Sequence, residues 1–234
     1  MLPDFEVCRN EYRKYSIELT DEMYKKFDLY ADFLVEYNKN INLTAITEPK
    51  EILVKHFIDS CLILKHIDIP NNSTIIDIGT GAGFPSVPLK IMRPDLKITL
   101  LDSLAKRIVF LQKLCEKISI DAECIHGRAE DFAKLSKYRE KFDFSCARAV
   151  AKLSVLSEYC IPFVKKDGCF ISMKGPSEST KDSESAIKLL GAEIKSIHGY
   201  MLGDDIRNIV EIRKISQTPT KYPRNSSQIK KKPL

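Results

Sequence analysis

Four groups of residues in this chain have the type and spacing to do chemistry on a ligand. Asp77, Gly79, Gly81 and Gly83 fall within Asp77-Ile-Gly-Thr-Gly-Ala-Gly83. Alternating glycines there let bare backbone approach a bound molecule, because a Cβ would clash or forbid positive φ. Asp102 stands 23 residues after Gly79, at the end of the apolar run Ile98-Thr-Leu-Leu101. A carboxylate so placed can accept hydrogen bonds from a ribose diol. His56, Asp59 and Ser60 share one helix face by their i, i+3, i+4 spacing; such a face is either solvated or turned towards a ligand. Basic side chains at Lys106, Arg107, Arg128, Arg148, Lys174, Lys221 and Arg224 complete the set.

These groups need a scaffold, and strand-like and helix-like segments alternate along most of the chain. From Thr20, a candidate cap, Met23, Phe27, Tyr30, Leu34 and Tyr37 repeat at helical steps to about Asn38, with aromatics suited to packing on a domain face. A second helix is expected with Thr47 as its candidate cap and Pro49 in its first turn, running to about His66. Residues 1 to 19 have only weak helix character. Thr74-Ile-Ile76 reads as a first strand, followed by the glycine turn and a helix from about Phe84 to Met92 with Pro85 near its start. Strands are expected at 97–102, 121–126, 142–147, 168–173, 193–200 and 206–215. Helices are expected at 104–117, from about 129, near 152–164 and up to Leu190, with a polar loop over 176–185. This pattern predicts an α/β fold with a mostly parallel sheet covered on both faces. Ligands on such sheets bind at the carboxyl ends of the strands, where Gly79, Asp102, Gly127 to Glu130, Arg148 and Lys174 all fall.

Composition bounds the rest. Hydrophobic content of 44% and charged content of 29% over 234 residues are those of a globular protein. With no apolar run near 18 residues and no secretory start, a cytoplasmic protein without a membrane partner is expected. Seven cysteines without a C-x-x-C pair argue against zinc and disulfides. Residues 213–234 carry seven Lys or Arg and no acid, while the preceding 212 carry 30 basic and 32 acidic residues, a net −2. A basic tail of this kind suits RNA phosphates, or serves only as a solvated terminus.

The glycine spacing separates two cofactor classes. A dinucleotide fingerprint needs its third glycine at the place held here by Phe84. The pattern D-x-G-x-G-x-G instead resembles motif I of the class I S-adenosylmethionine-dependent methyltransferases. Asn40-Ile-Asn-Leu-Thr44, His56-x-x-Asp59-Ser60, Asp77 to Pro85, Leu101-Asp-Ser-x-x-Lys-Arg107, Arg128-Ala-Glu-Asp131, Ser145-Cys-Ala-Arg-Ala149, Met173-Lys-Gly175 and Lys221-Tyr-Pro-Arg224 extend it. Together they resemble the ribosomal RNA small subunit methyltransferase G family, also called glucose-inhibited division protein B, from about residue 20 to the C-terminus.

The resemblance implies the class I methyltransferase fold, Rossmann-like with a seven-stranded sheet. It implies an N-terminal helical extension over 1–70, a methyltransferase domain over 71–215 and a basic tail over 216–234. It implies methyl transfer from S-adenosylmethionine to N7 of the guanine at position 527 of bacterial 16S rRNA. No metal and no obligate protein partner are expected, and the chain is expected to be a monomer. The expected cofactor-binding residues are Asp77, Gly79, Gly81, Gly83, Phe84, Asp102, Ser103, Ala129, Glu130 and Arg148. Arg148 matches the family's functionally important arginine, and is expected either to bind the guanine O6 edge or a phosphate, or to pair with Glu130 or Asp102. Lys106, Arg107, Arg128, Lys174, Lys221 and Arg224 are the expected RNA contacts. The competing readings are a nicotinamide-dependent oxidoreductase, disfavoured by Phe84, and a non-catalytic RNA-binding protein on the same fold.

Overall fold

A computed structural model describes residues 2–148, 151–175 and 180–234. Seven strands form one sheet in the order β3-β2-β1-β4-β5-β7-β6. They are β1 (Thr74–Ile78), β2 (Lys97–Asp102), β3 (Ala122–His126), β4 (Phe142–Arg148), β5 (Val164–Lys174), β6 (Ala192–Leu202) and β7 (Asp205–Lys214). The first five pair in parallel, and β7 runs antiparallel to both β5 and β6. Chain order reverses between β1 and β4, which opens a crevice at the carboxyl ends of the strands. The alternation read from the sequence is therefore the alternation found, with β5 beginning four residues earlier than expected.

One apolar core lies on the sheet face that takes the N-terminal helices, and a second lies on the opposite face. Helix α1 (Phe5–Lys14) forms where the sequence showed little signal. Asp4 caps it by accepting from the Val7 amide, and Tyr12 is buried on its inner side. Helix α2 (Asp21–Asn38) starts at Thr20 as expected, its hydroxyl accepting from the Met23 amide. Phe27, Tyr30 and Leu34 on α2 are wholly buried, so its aromatics are core. Tyr30 stacks on Phe84 at 5.4 Å and donates its hydroxyl to the Ala82 carbonyl. The N-terminal helices thus grip the glycine turn directly.

The expected second helix departs from α geometry. After Pro49–Glu51, capped by Glu48 rather than Thr47, the backbone widens to a π-helical segment Ile52–Ile58 before Asp59–Cys61 and Ile63–His66. His56 in the wider turn and Asp59 just after it both meet Arg148. Of the polar loop expected over 176–185, residues 176–179 lie outside the described residues, and helix Glu184–Leu189 occupies its end.

The last stretch, expected as a basic tail, folds back on the domain. Arg139 donates to the carbonyls of Tyr222 and Thr218 at 2.9 and 2.8 Å. Lys214, 1% exposed, reaches Glu140 at 2.9 Å and the Thr218 hydroxyl at 2.6 Å. Helix Ser226–Lys231 then packs against helix Leu153–Cys160.

Candidate active site

Two cavities lie at the carboxyl ends of the parallel strands, one on each side of the reversal. The first, about 250 Å³, is bounded by Ile78 and Gly79 at the end of β1, Asp102 and Ser103 at the end of β2, and Arg128, Ala129 and Glu130 after β3. The second, about 350 Å³, is bounded by Arg148 at the end of β4, Lys174 and Gly175 at the end of β5, and His56, Asp59, Tyr200 and Arg207.

The glycine turn divides its labour. At Gly79, with φ +68°, a Cβ would meet nothing within 4 Å and would protrude into open space beside the first cavity. At Gly83, with φ +100°, a Cβ would lie 2.7 Å from Val87 and 2.8 Å from the Tyr30 hydroxyl. Gly79 leaves bare main chain for a ligand, whereas Gly83 lets α2 pack down. Asp77 sits wholly buried beneath the turn, accepting from the Thr80 hydroxyl at 3.0 Å and the Ser86 amide at 3.2 Å. Burial pushes its carboxyl up to about 7, and its Oδ1 has no hydrogen-bond partner among the described residues.

Asp102 lines the first cavity and is 2% exposed. It accepts from the Gly81 amide at 3.0 Å, the Leu104 amide at 2.9 Å and Arg107 at 3.2 Å. These bonds lock the second strand end to the turn. Arg107, expected on RNA, is held here against Asp102, while Lys106 beside it is exposed. Glu130 is buried at the cavity wall with the largely exposed Arg128 3.8 Å away.

Phe84 does not line the first cavity. Its ring stacks on His56 at 4.4 Å and lies under the Arg148 guanidinium at 4.6 Å. Arg148 pairs with neither Glu130 nor Asp102. It donates to the Lys55 carbonyl at 3.2 Å, to Asp59 at 3.4 Å and to His56 Nδ1 at 3.1 Å. Nδ1 lies between this guanidinium donor and the Lys55 carbonyl, 3.2 Å away; with Arg148 donating to it, the ring proton sits on Nε2, which donates to the Thr44 hydroxyl at 2.8 Å. Burial and the Arg148 charge bring His56 down to about 3. Burial lowers Arg148 too, and Asp59 opposes that shift. Tyr200 donates to the other oxygen of Asp59 at 2.7 Å. The helix face that the sequence left open is therefore turned inward, and it presents the arginine.

Lys174 lines the second cavity and donates to the Ala151 carbonyl. Lys221 is exposed, over the Tyr222 ring. Arg224 is bound elsewhere, as its Nε and Nη2 hold Glu158, which is wholly buried, at 2.9 and 2.6 Å. Sequence reasoning missed Tyr200 and Arg207, which come from strands where period-two patterning does not say which face meets a site. It also missed Ser226 and Lys230, which line the first cavity. The cap signal Asn225-Ser-Ser-Gln marked their helix.

The rRNA small subunit methyltransferase G family model matches residues 23–210. The chain belongs to that family. Proteins named ribosomal RNA small subunit methyltransferase G from Desulforamulus reducens and Clostridium novyi are 49% and 50% identical to it. The first aligns over 95% of both chains, the second over 93% of this chain and 92% of its own. A solved S-adenosylmethionine-dependent methyltransferase from Aquifex aeolicus superposes with a TM-score of 0.54 at 16% identity, over 70% of this chain and 93% of that one. The chain has the class I S-adenosylmethionine-dependent methyltransferase fold, with a seven-stranded, mostly parallel sheet. Among the described residues no cluster of His, Cys, Asp or Glu has the makings of a metal site, all seven cysteines are free thiols, and no helix is long and apolar enough to cross a membrane.

Proposed function

We propose that this protein transfers a methyl group from S-adenosylmethionine to N7 of a guanine in 16S rRNA, the guanine at position 527. The observation that supports this reading is the pair of cavities flanking the strand-order reversal, one lined by Gly79, Asp102 and Glu130 and the other by Arg148 and Lys174. S-adenosylmethionine supplies a methyl already activated on a sulfonium, so the protein's task is alignment. The residues of the first cavity fit such a donor. Gly79 admits close backbone approach, and the carboxylates of Asp102 and Glu130 suit the ribose hydroxyls and an exocyclic amine. No phosphate-binding site is needed for this cofactor.

In the second cavity Arg148 is held by Lys55, His56 and Asp59 and lines the wall that an entering base would meet. Guanine presents O6 and N7 as adjacent acceptors, and Arg148 takes the O6 side while N7 faces the donor. N7 bears a lone pair and no proton, so no general base is required. The neutral His56 agrees, because it orients the arginine and takes no proton. Lys174 and Arg128 suit the flanking RNA phosphates, together with the exposed Lys106 and Lys221. The setting is the bacterial cytoplasm, where ribosomal subunits are made.

The test is incubation of the purified protein with methyl-labelled S-adenosylmethionine and small subunits from a strain lacking the gene, followed by mass mapping of 16S rRNA. One added methyl on the guanine at position 527 is expected. Label on any other nucleotide, or none with intact cofactor binding, would overturn the reading.

A further inference from the structure

We infer that the C-terminal helix Ser226–Lys231 is a working wall of the donor cavity, with Lys230 and Ser226 contacting the bound nucleoside. The inference rests on the S-adenosylmethionine reading and extends it to residues that composition assigns to RNA.

Three observations carry it. Ser226 and Lys230 line the same cavity as Gly79, Asp102 and Glu130. The helix is fixed there rather than resting there, since the Ser226 hydroxyl meets the Tyr159 hydroxyl at 3.0 Å and Ile229 is wholly buried. The residue entering it, Arg224, gives its backbone amide and guanidinium to Glu158. Glu158 and Tyr159 lie on the helix that follows β4, and Tyr159 lines the cavity as well. Undocking this segment would leave the wholly buried Glu158 without its partner, which favours the docked position.

The chemistry is complementary. The strand ends offer carboxylates, which accept from hydroxyls and amines. A nucleoside also carries acceptors, the ring nitrogens and ribose oxygens, and the Lys230 ammonium offers three donors from the opposite wall. Lys231 and Lys232 are exposed and do not line the cavity, so the tail's charges divide between two tasks.

Calorimetry with S-adenosylmethionine and with S-adenosylhomocysteine tests this on the full-length protein, Lys230→Ala, Lys231→Ala and a chain ending at Arg224. Loss of one hydrogen bond of about 0.5–1.5 kcal/mol predicts roughly 2- to 13-fold weaker binding for Lys230→Ala. Lys231→Ala should match the parent, and the shortened chain should lose at least about tenfold. Equal affinity in Lys230→Ala and Lys231→Ala would sink the inference even if the shortened chain misfolds. Tighter binding by the shortened chain would sink it too, by showing that the helix occupies the ligand's place. A parent protein that binds neither ligand would instead overturn the proposed function, and the inference with it.

Discussion

The guanidinium carbon of Arg148 stands 4.6 Å from the centre of the Phe84 ring. This contact joins the end of β4 to the residue that follows the glycine turn, across the line where strand order reverses. Phe84 is itself flanked by His56 and Tyr30, so one aromatic stack sets the height of the arginine relative to the turn.

Replacing Phe84 by Leu keeps the volume roughly but removes the ring face. A cation–π contact contributes about 0.5–2 kcal/mol, so Arg148 should loosen and the methylation rate fall several-fold. Cofactor affinity should change little, because Phe84 does not line the donor cavity. Separate calorimetry and single-turnover methylation check this, and a change confined to cofactor affinity would contradict the stack's role.

Arg148→Lys keeps the charge but cannot reach the Lys55 carbonyl, His56 and Asp59 together. Methylation should drop at least about a hundredfold, the scale of losing one well-placed charged donor, with S-adenosylmethionine affinity nearly unchanged. Near-parental methylation would remove Arg148 from the acceptor side.

The glycines should separate stability from binding. Gly83→Ala drives a methyl into Val87 and Tyr30, and overpacking of this kind costs about 1–3 kcal/mol. Gly79→Ala meets no atom, so its stability cost is only the strain of positive φ, about 1–2 kcal/mol, while its methyl stands where the ligand must approach. Urea melts and calorimetry on both variants should show Gly83→Ala as the less stable protein and Gly79→Ala as the weaker binder.

His56 and Asp77 should tilt stability with pH in opposite directions. The folded pKa of His56 is depressed from 6.5 to about 3. Its contribution is therefore fully present above pH 6.5 and is lost as pH falls towards 3. That of Asp77 is raised from 3.8 to about 7, so its contribution is fully present below 3.8 and is lost as pH rises through 7. His56→Gln should flatten the acid limb of a melting-temperature profile, and Asp77→Asn the limb between 4 and 7. A methylation profile with a limb near 6.5 that His56→Gln abolishes would contradict a neutral, orienting histidine.

The fold was legible because the central strands are short apolar runs joined by helix-period segments, and the glycine turn because its three glycines follow directly on Asp77. Asp102, Ala129 and Glu130, read as lying at strand ends, do lie there and line the first cavity. The acceptor side was less legible. Arg148 meets Lys55, His56 and Asp59 from 89 to 93 positions away, and no local spacing encodes such a meeting. The charge of Arg224 was visible in the sequence, but not the buried carboxylate that claims it. The π-helical segment, too, left no trace in a pattern read at 3.6 residues per turn.

The hydroxyl of Tyr30 on the Ala82 carbonyl also orders events in time. Translation delivers α2 some 50 residues before the loop it must clasp, so the Tyr30 hydroxyl waits for an acceptor still to be synthesised. The clasp on the glycine turn is thereby a later step of biosynthesis than α2 itself, and a nascent chain stalled short of Ala82 would hold α2 against α1 with the Tyr30 hydroxyl still lacking its acceptor.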